Sequence, residues 1–99
     1  SCRQRLPEAD RRADEMKTLT ARIKVPEGLH VKPASKIFME ARKYGCRITA
    51  FGSERQADCK NIMELLSLEA AFGEELRFEF DGAGEEKARE AFKLLLRET

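Results

Sequence analysis

The chain has one histidine in 99 residues, which excludes a metal site built from several imidazoles. Cysteine is also scarce: Cys2, Cys46 and Cys59 form an odd set with no CxxC spacing. Such a set does not read as a disulfide framework, and two of the three fall in or beside expected strands, which suits reduced, partly buried thiols and a cytoplasmic protein. Neither sign of charge is in excess, with Lys+Arg 19 against Asp+Glu 18, so no global field recruits nucleic acid or an acidic membrane surface. No apolar run approaches membrane-spanning length and the first residues are charged, so neither a transmembrane helix nor a signal peptide is expected. A Gly-rich phosphate loop and a nucleophile elbow are both missing; self-contained catalysis is not expected, and no metal or cofactor is implied.

What is present suffices for one small domain, since 41% of the residues are hydrophobic and six are phenylalanine. Residues 1–17 carry charges of both signs and almost no apolar periodicity, and are read as a flexible extension preceding a domain over 18–99. Thr18 to Val25 alternates polar and apolar, the period of a half-buried strand. Ala34, Ile37, Phe38 and Ala41 have helical spacing, with Gly45 as a left-handed helix stop. Cys46, Ile48 and Ala50 mark a second strand, Gln56 to Asp58 a short third one, and Leu76, Phe78 and Phe80 a fourth. A short helix carries Ile62, Leu65 and Leu66, and a last helix from about Gly84 to Arg97 places Ala88, Ala91, Phe92 and Leu95 on one stripe. The order is βαββαβα. An α+β, open-faced two-layer sandwich follows, with three helices on one face of a four-stranded antiparallel sheet. Its wet face should carry Arg22, Lys24, Arg47, Thr49, Arg77 and Glu79. Its core should collect Leu19, Ala21, Ile23, Ile37, Phe38, Ala41, Ile48, Leu65, Phe78, Phe80, Phe92 and Leu95.

The single histidine occupies a chemically useful place. Gly28-Leu29-His30-Val31-Lys32-Pro33 joins the first strand to the first helix, so His30 stands where backbone N–H groups lack intrahelical partners and face an incoming anion. A neutral imidazole is a competent nucleophile near pH 7. The amides of Val31 and Lys32 can receive phosphoryl oxygens, the Lys32 ammonium can supply a cation, and Pro33 costs little in a turn whose N–H would be unpaired.

Two blocks resemble a known family, the histidine-containing phosphocarrier proteins (HPr) of the bacterial phosphoenolpyruvate-dependent phosphotransferase system, over about residues 18 to 97. Gly28-Leu29-His30-Val31-Lys32-Pro33-Ala34 is similar to the family's G-[IL]-H-A-R-P-A site. Lys60-Asn61-Ile62-Met63-Glu64-Leu65-Leu66-Ser67-Leu68 is similar to its K-S-I-M-x-[LV]-[LM]-S-L helix. The resemblance implies a monomeric carrier that is not itself an enzyme. Its His30 would take phosphate on Nδ1 from enzyme I and pass it to a IIA domain during sugar uptake. It also implies that Ile62, Met63 and Leu66 form a partner-facing apolar patch, with Leu65 in the core. Lys32 replaces the family arginine with a single ammonium, which keeps the charge and loses the bidentate fork. Asn61 stands where many relatives carry a regulatory serine; having no hydroxyl, it offers HPr kinase no acceptor, and its expected role is to cap the short helix. Glu64 takes the place of a frequently small residue, a change that bears on partner choice. Two other functions fit the same order of elements. One is a regulatory paralogue of the nitrogen-related branch, signalling phosphoenolpyruvate status without sugar transport. The other is a ferredoxin-like ligand- or RNA-binding module, which would need aromatics exposed on the sheet face.

Overall fold

The computed structural model describes residues 16–97. Seven elements follow in the expected order: β1 (Met16–Arg22), α1 (Val31–Ala41), β2 (Arg47–Phe51), β3 (Gln56–Asp58), α2 (Ile62–Ser67), β4 (Glu75–Asp81) and α3 (Glu85–Leu96). The strands form one antiparallel sheet in the order β1-β4-β2-β3, and the three helices cover one face of it in an α+β open-faced sandwich. Of the expected extension over residues 1–17, Met16 and Lys17 belong to β1, and residues 1–15, Cys2 among them, lie outside the described residues.

Strand β4 is central because it pairs with β1 on one side and β2 on the other, and its alternation is the cleanest. Leu76, Phe78 and Phe80 are at most 1% exposed beneath the helices, whereas Glu75, Arg77, Glu79 and Asp81 point to the open face. On that face Arg77 donates to Glu79 at 3.0 Å, and its guanidinium lies 4.6 Å from the centroid of the Phe51 ring. Arg22 stands 3.9 Å from Glu75; exposed pairs of this kind contribute little to stability. Burial of Phe78 and Phe80 removes the stacking platform an RNA-binding sheet would need. Among the described strand residues, the single aromatic on the open face, Phe51, is covered by Arg77.

Several details differ from expectation. Strand β1 begins at Met16, which pairs with Asp81, and ends at Arg22 opposite Glu75. Beyond it, Ile23 leaves the ladder to bond the turn before β4, receiving the Gly73 N–H at 2.8 Å and donating to the Glu74 carbonyl at 2.9 Å. Because β1 is an edge strand, Leu19 and Ala21 are only partly buried. Helix α1 ends at Ala41 without a glycine stop: Arg42 is right-handed, and Lys43 and Tyr44 donate to the carbonyls three residues back, so the helix tightens into turns before Gly45. Gly45 does not adopt positive φ. Phe38 is half-buried, its ring 5.4 Å from the Arg42 guanidinium. In α3 the buried row is Ala88, Phe92 and Leu96, while Ala91 and Leu95 are half-buried. The row advances in steps of four, and the flank carrying Ala91 and Leu95 is left incompletely covered. Glu85, at the start of that row, is buried with its carboxylate accepting the Gly82 N–H at 2.9 Å.

Cys46 and Cys59 are buried free thiols at the ends of β2 and β3. Burial, and secondarily the neighbouring Asp58 carboxylate, pushes the Cys59 thiol well above its ordinary range. An unfolded thiol ionises near about pH 8.5, so between that pH and the raised folded value the native state holds the extra proton. Stability contributed by the neutral thiol is complete below about pH 8.5 and is lost as pH rises, by up to about 1.4 kcal/mol per pH unit. Urea unfolding at pH 7.5 and 9.5 should show this fall, and Cys59→Ala should lessen it, the part that remains belonging to Cys46, whose thiol burial also pushes up; an equal slope in the variant would exclude Cys59 as a cause.

Candidate functional site

The loop that carries His30 is built from a turn and two anchors. Gly28 donates to the Val25 carbonyl at 3.0 Å, closing a turn with Pro26 at its second position, where a preset φ is favoured. Gly28 itself has φ +81°, and a Cβ placed there would lie 2.6 Å from the Ala70 carbonyl oxygen, so both conformation and space demand glycine. Leu29 is the second anchor: its side chain is buried and its N–H donates to the same Ala70 carbonyl at 2.8 Å. That carbonyl is turned toward the loop by Glu69, whose left-handed φ of +52° bends the chain after α2.

With Gly28 and Leu29 held, His30 follows as the N-cap of α1 in extended conformation, half-exposed at the surface. Its Nδ1 accepts the Lys32 backbone N–H at 3.4 Å. A neutral imidazole that accepts at Nδ1 carries its proton on Nε2. Nε2 lies 3.8 Å from a carboxylate oxygen of Glu27. The nucleophilic lone pair therefore faces the start of the helix, and the protonated nitrogen faces an acid. Among the amides of the first turn, the His30 N–H is taken by Gly28, the Lys32 N–H makes the long bond to Nδ1, Pro33 has none, and the Val31 N–H has no partner among the described residues. Lys32 is exposed and makes no ion pair among the described residues, leaving its ammonium available to an anion. Amides of Val31 and Lys32, the Lys32 cation and a half-exposed imidazole are thus gathered within three consecutive residues.

The second block forms α2, which packs beside α1. Asn61 is its N-cap, its Oδ1 accepting the N–H groups of Met63 at 3.0 Å and Glu64 at 3.3 Å. Glu64 reaches back to accept the Asp58 N–H at 2.8 Å, tying the helix to the end of β3. Leu65 is wholly buried and Met63 is 71% exposed. Ile62 and Leu66 are half-buried against the core and offer one edge each to solvent. Two residues near the site escape the sequence reading, Glu27 and the exposed Phe72. Glu27 directly precedes the turn glycine, so proximity in sequence was its available signal.

A family model described as the PTS HPr component phosphorylation site matches residues 17–98. A phosphocarrier protein HPr of Mycoplasma genitalium is 35% identical over 82% of this chain and 93% of its own length. The HPr of Mycoplasma capricolum is 33% identical over 73% of this chain and 81% of its own. Among solved structures, a Mycoplasma histidine-containing phosphocarrier protein superposes with a TM-score of 0.80 at 30% identity, covering 83% of this chain and 93% of that one. HPr from Thermoanaerobacter tengcongensis gives 0.77 at 30% identity, covering 82% and 91%. With the strand-to-helix histidine, its amide cradle and the capped second helix in place, the chain belongs to the HPr family of phosphotransferase-system phosphocarriers.

Proposed function

We propose that His30 is the residue on which this phosphocarrier takes its phosphoryl group, through Nδ1, from phosphorylated enzyme I, and from which a IIA domain receives it. The observation that carries this reading is the Nδ1 lone pair directed at a helix start where the Val31 amide is unpaired. In the forward step the Nδ1 lone pair forms a bond to phosphorus, and the bond between phosphorus and the donor breaks, its electron pair returning to the donor. The Lys32 N–H, released from Nδ1, and the Val31 N–H then take phosphoryl oxygens, with the Lys32 ammonium as counter-charge. Because Nε2 keeps its proton, positive charge develops on the ring, and Glu27 stands opposite it. Half-exposure of His30 suits a carrier, since donor and acceptor are both proteins that must reach the same atom.

The partner-facing surface in this reading includes Met63 with the outer edges of Ile62 and Leu66. Asn61 has no hydroxyl, so a serine-directed HPr kinase finds no acceptor at that position. The carrier works without a cofactor, as a monomer in the cytoplasm, and the described residues contain no helix long and apolar enough to cross a membrane. Incubation with phosphoenolpyruvate and a cognate enzyme I should add one acid-labile phosphoryl group, read by intact-mass spectrometry. Absence of the adduct, with an enzyme I shown to phosphorylate a related HPr, would overturn the proposal.

A further inference from the structure

Phe72 is 63% exposed, an unusual position for a phenylalanine, and it stands on the turn that backs the His30 loop. The turn is rigid. Its residue Ala71 receives the Glu74 N–H at 3.0 Å and donates its own to the Glu74 carboxylate at 3.1 Å, while the Gly73 N–H is held by the Ile23 carbonyl at 2.8 Å. Ala71 also packs on the loop itself, its Cα lying 3.2 Å from the position a Gly28 Cβ would occupy. Following the chain through that contact, the Cα atoms of Phe72 and His30 are at most about 16 Å apart. Phosphoryl transfer between two proteins brings the partner's reacting atom into contact with His30, and a specific interface covers about 800 Å² on each side, a disc of about 16 Å radius. An exposed ring within that reach of His30 gives large apolar contact with little side-chain entropy to lose, and Val31, next to His30 in the chain, is 62% exposed and apolar as well.

We infer that Phe72 is a docking anchor for the phosphoryl donor, making apolar contact with it beside the transferring group, and that it sets this chain's affinity for that donor. The inference rests on the phosphocarrier reading above and adds a residue to it. Steady-state phosphorylation by enzyme I should show KM for Phe72→Glu raised at least tenfold with kcat within twofold of wild type. Phe72→Leu, which keeps an apolar side chain, should stay within threefold in KM. Phe72→Ser, which removes the ring without adding charge, should reproduce the rise should the acidic variant be altered in fold. At saturating enzyme I every variant should still reach one phosphoryl group per chain, which separates failure of docking from failure of the carrier reading. KM within twofold of wild type for both Phe72→Glu and Phe72→Ser would overturn the anchor while leaving His30 as acceptor. A defect confined to onward transfer to a IIA domain would overturn its assignment to the donor.

Discussion

Replacing His30 with alanine should abolish the phosphoryl adduct altogether while leaving a folded domain. The chain has no second histidine to substitute for it, and the backbone amides of Val31 and Lys32 cannot accept a phosphoryl group covalently. The structural cost of the change is small, because the bond His30 contributes as N-cap is long, 3.4 Å, and half-exposed. Loss of a cap of that kind costs about 0.5–1 kcal/mol, and 1 kcal/mol lowers the unfolding midpoint of a domain this size by about 4–8 °C. Wild type and His30→Ala should therefore differ completely in phosphoryl adduct after incubation with enzyme I and phosphoenolpyruvate, and by no more than about 8 °C in thermal unfolding. An adduct of wild-type extent on the variant would place the acceptor elsewhere in the chain.

How much of this was legible in the sequence depended on whether a feature is local. The identity of β2 and β4 follows from period-two alternation, and the structure keeps each parity: Ile48, Ala50, Phe78 and Phe80 face inward, Arg47, Arg77 and Glu79 outward. The place of His30 was equally readable, because His30, Val31 and Lys32 are adjacent in the chain and one helix start gathers them. Asn61 as a cap is a contact over two or three residues, and it too was visible.

What the sequence hid depends on partners distant in the chain. Leu19 and Ala21 alternate like core residues, yet β1 pairs only with β4, and an edge strand is incompletely covered. Leu95 and Leu96 are indistinguishable by type, and only the packing of α3 against the sheet shows Leu96 to be the buried one. Gly28 could be seen as a turn residue. That Ala70 crowds it, and so couples the end of α2 to the orientation of His30, required the fold. The same coupling brings Phe72 near the site across more than forty residues of sequence.

The fold that holds this geometry is centred on Phe92, and Phe92→Ala should be the most damaging single truncation in the core. Its ring is fully buried and meets two others edge-on, Phe78 at 5.6 Å and 67° and Phe80 at 5.2 Å and 85°. It is thus the contact through which α3 is fastened to the central strand. Truncating a buried phenylalanine costs about 3–5 kcal/mol, and edge-to-face pairs add about 0.5–1.5 kcal/mol each beyond area burial. Phe78 and Phe80 lie on β4, held by pairing on both sides, and cannot move to fill the cavity, so the upper part of that range applies. Against a total of about 4–12 kcal/mol for a domain of this size, the loss removes a third or more of the stability. Urea unfolding should report a decrease of about 4–5 kcal/mol for Phe92→Ala. A measured loss below about 2 kcal/mol would mean that α3 can settle onto the sheet without its central ring, and that Ala88 and Leu96 suffice to hold it.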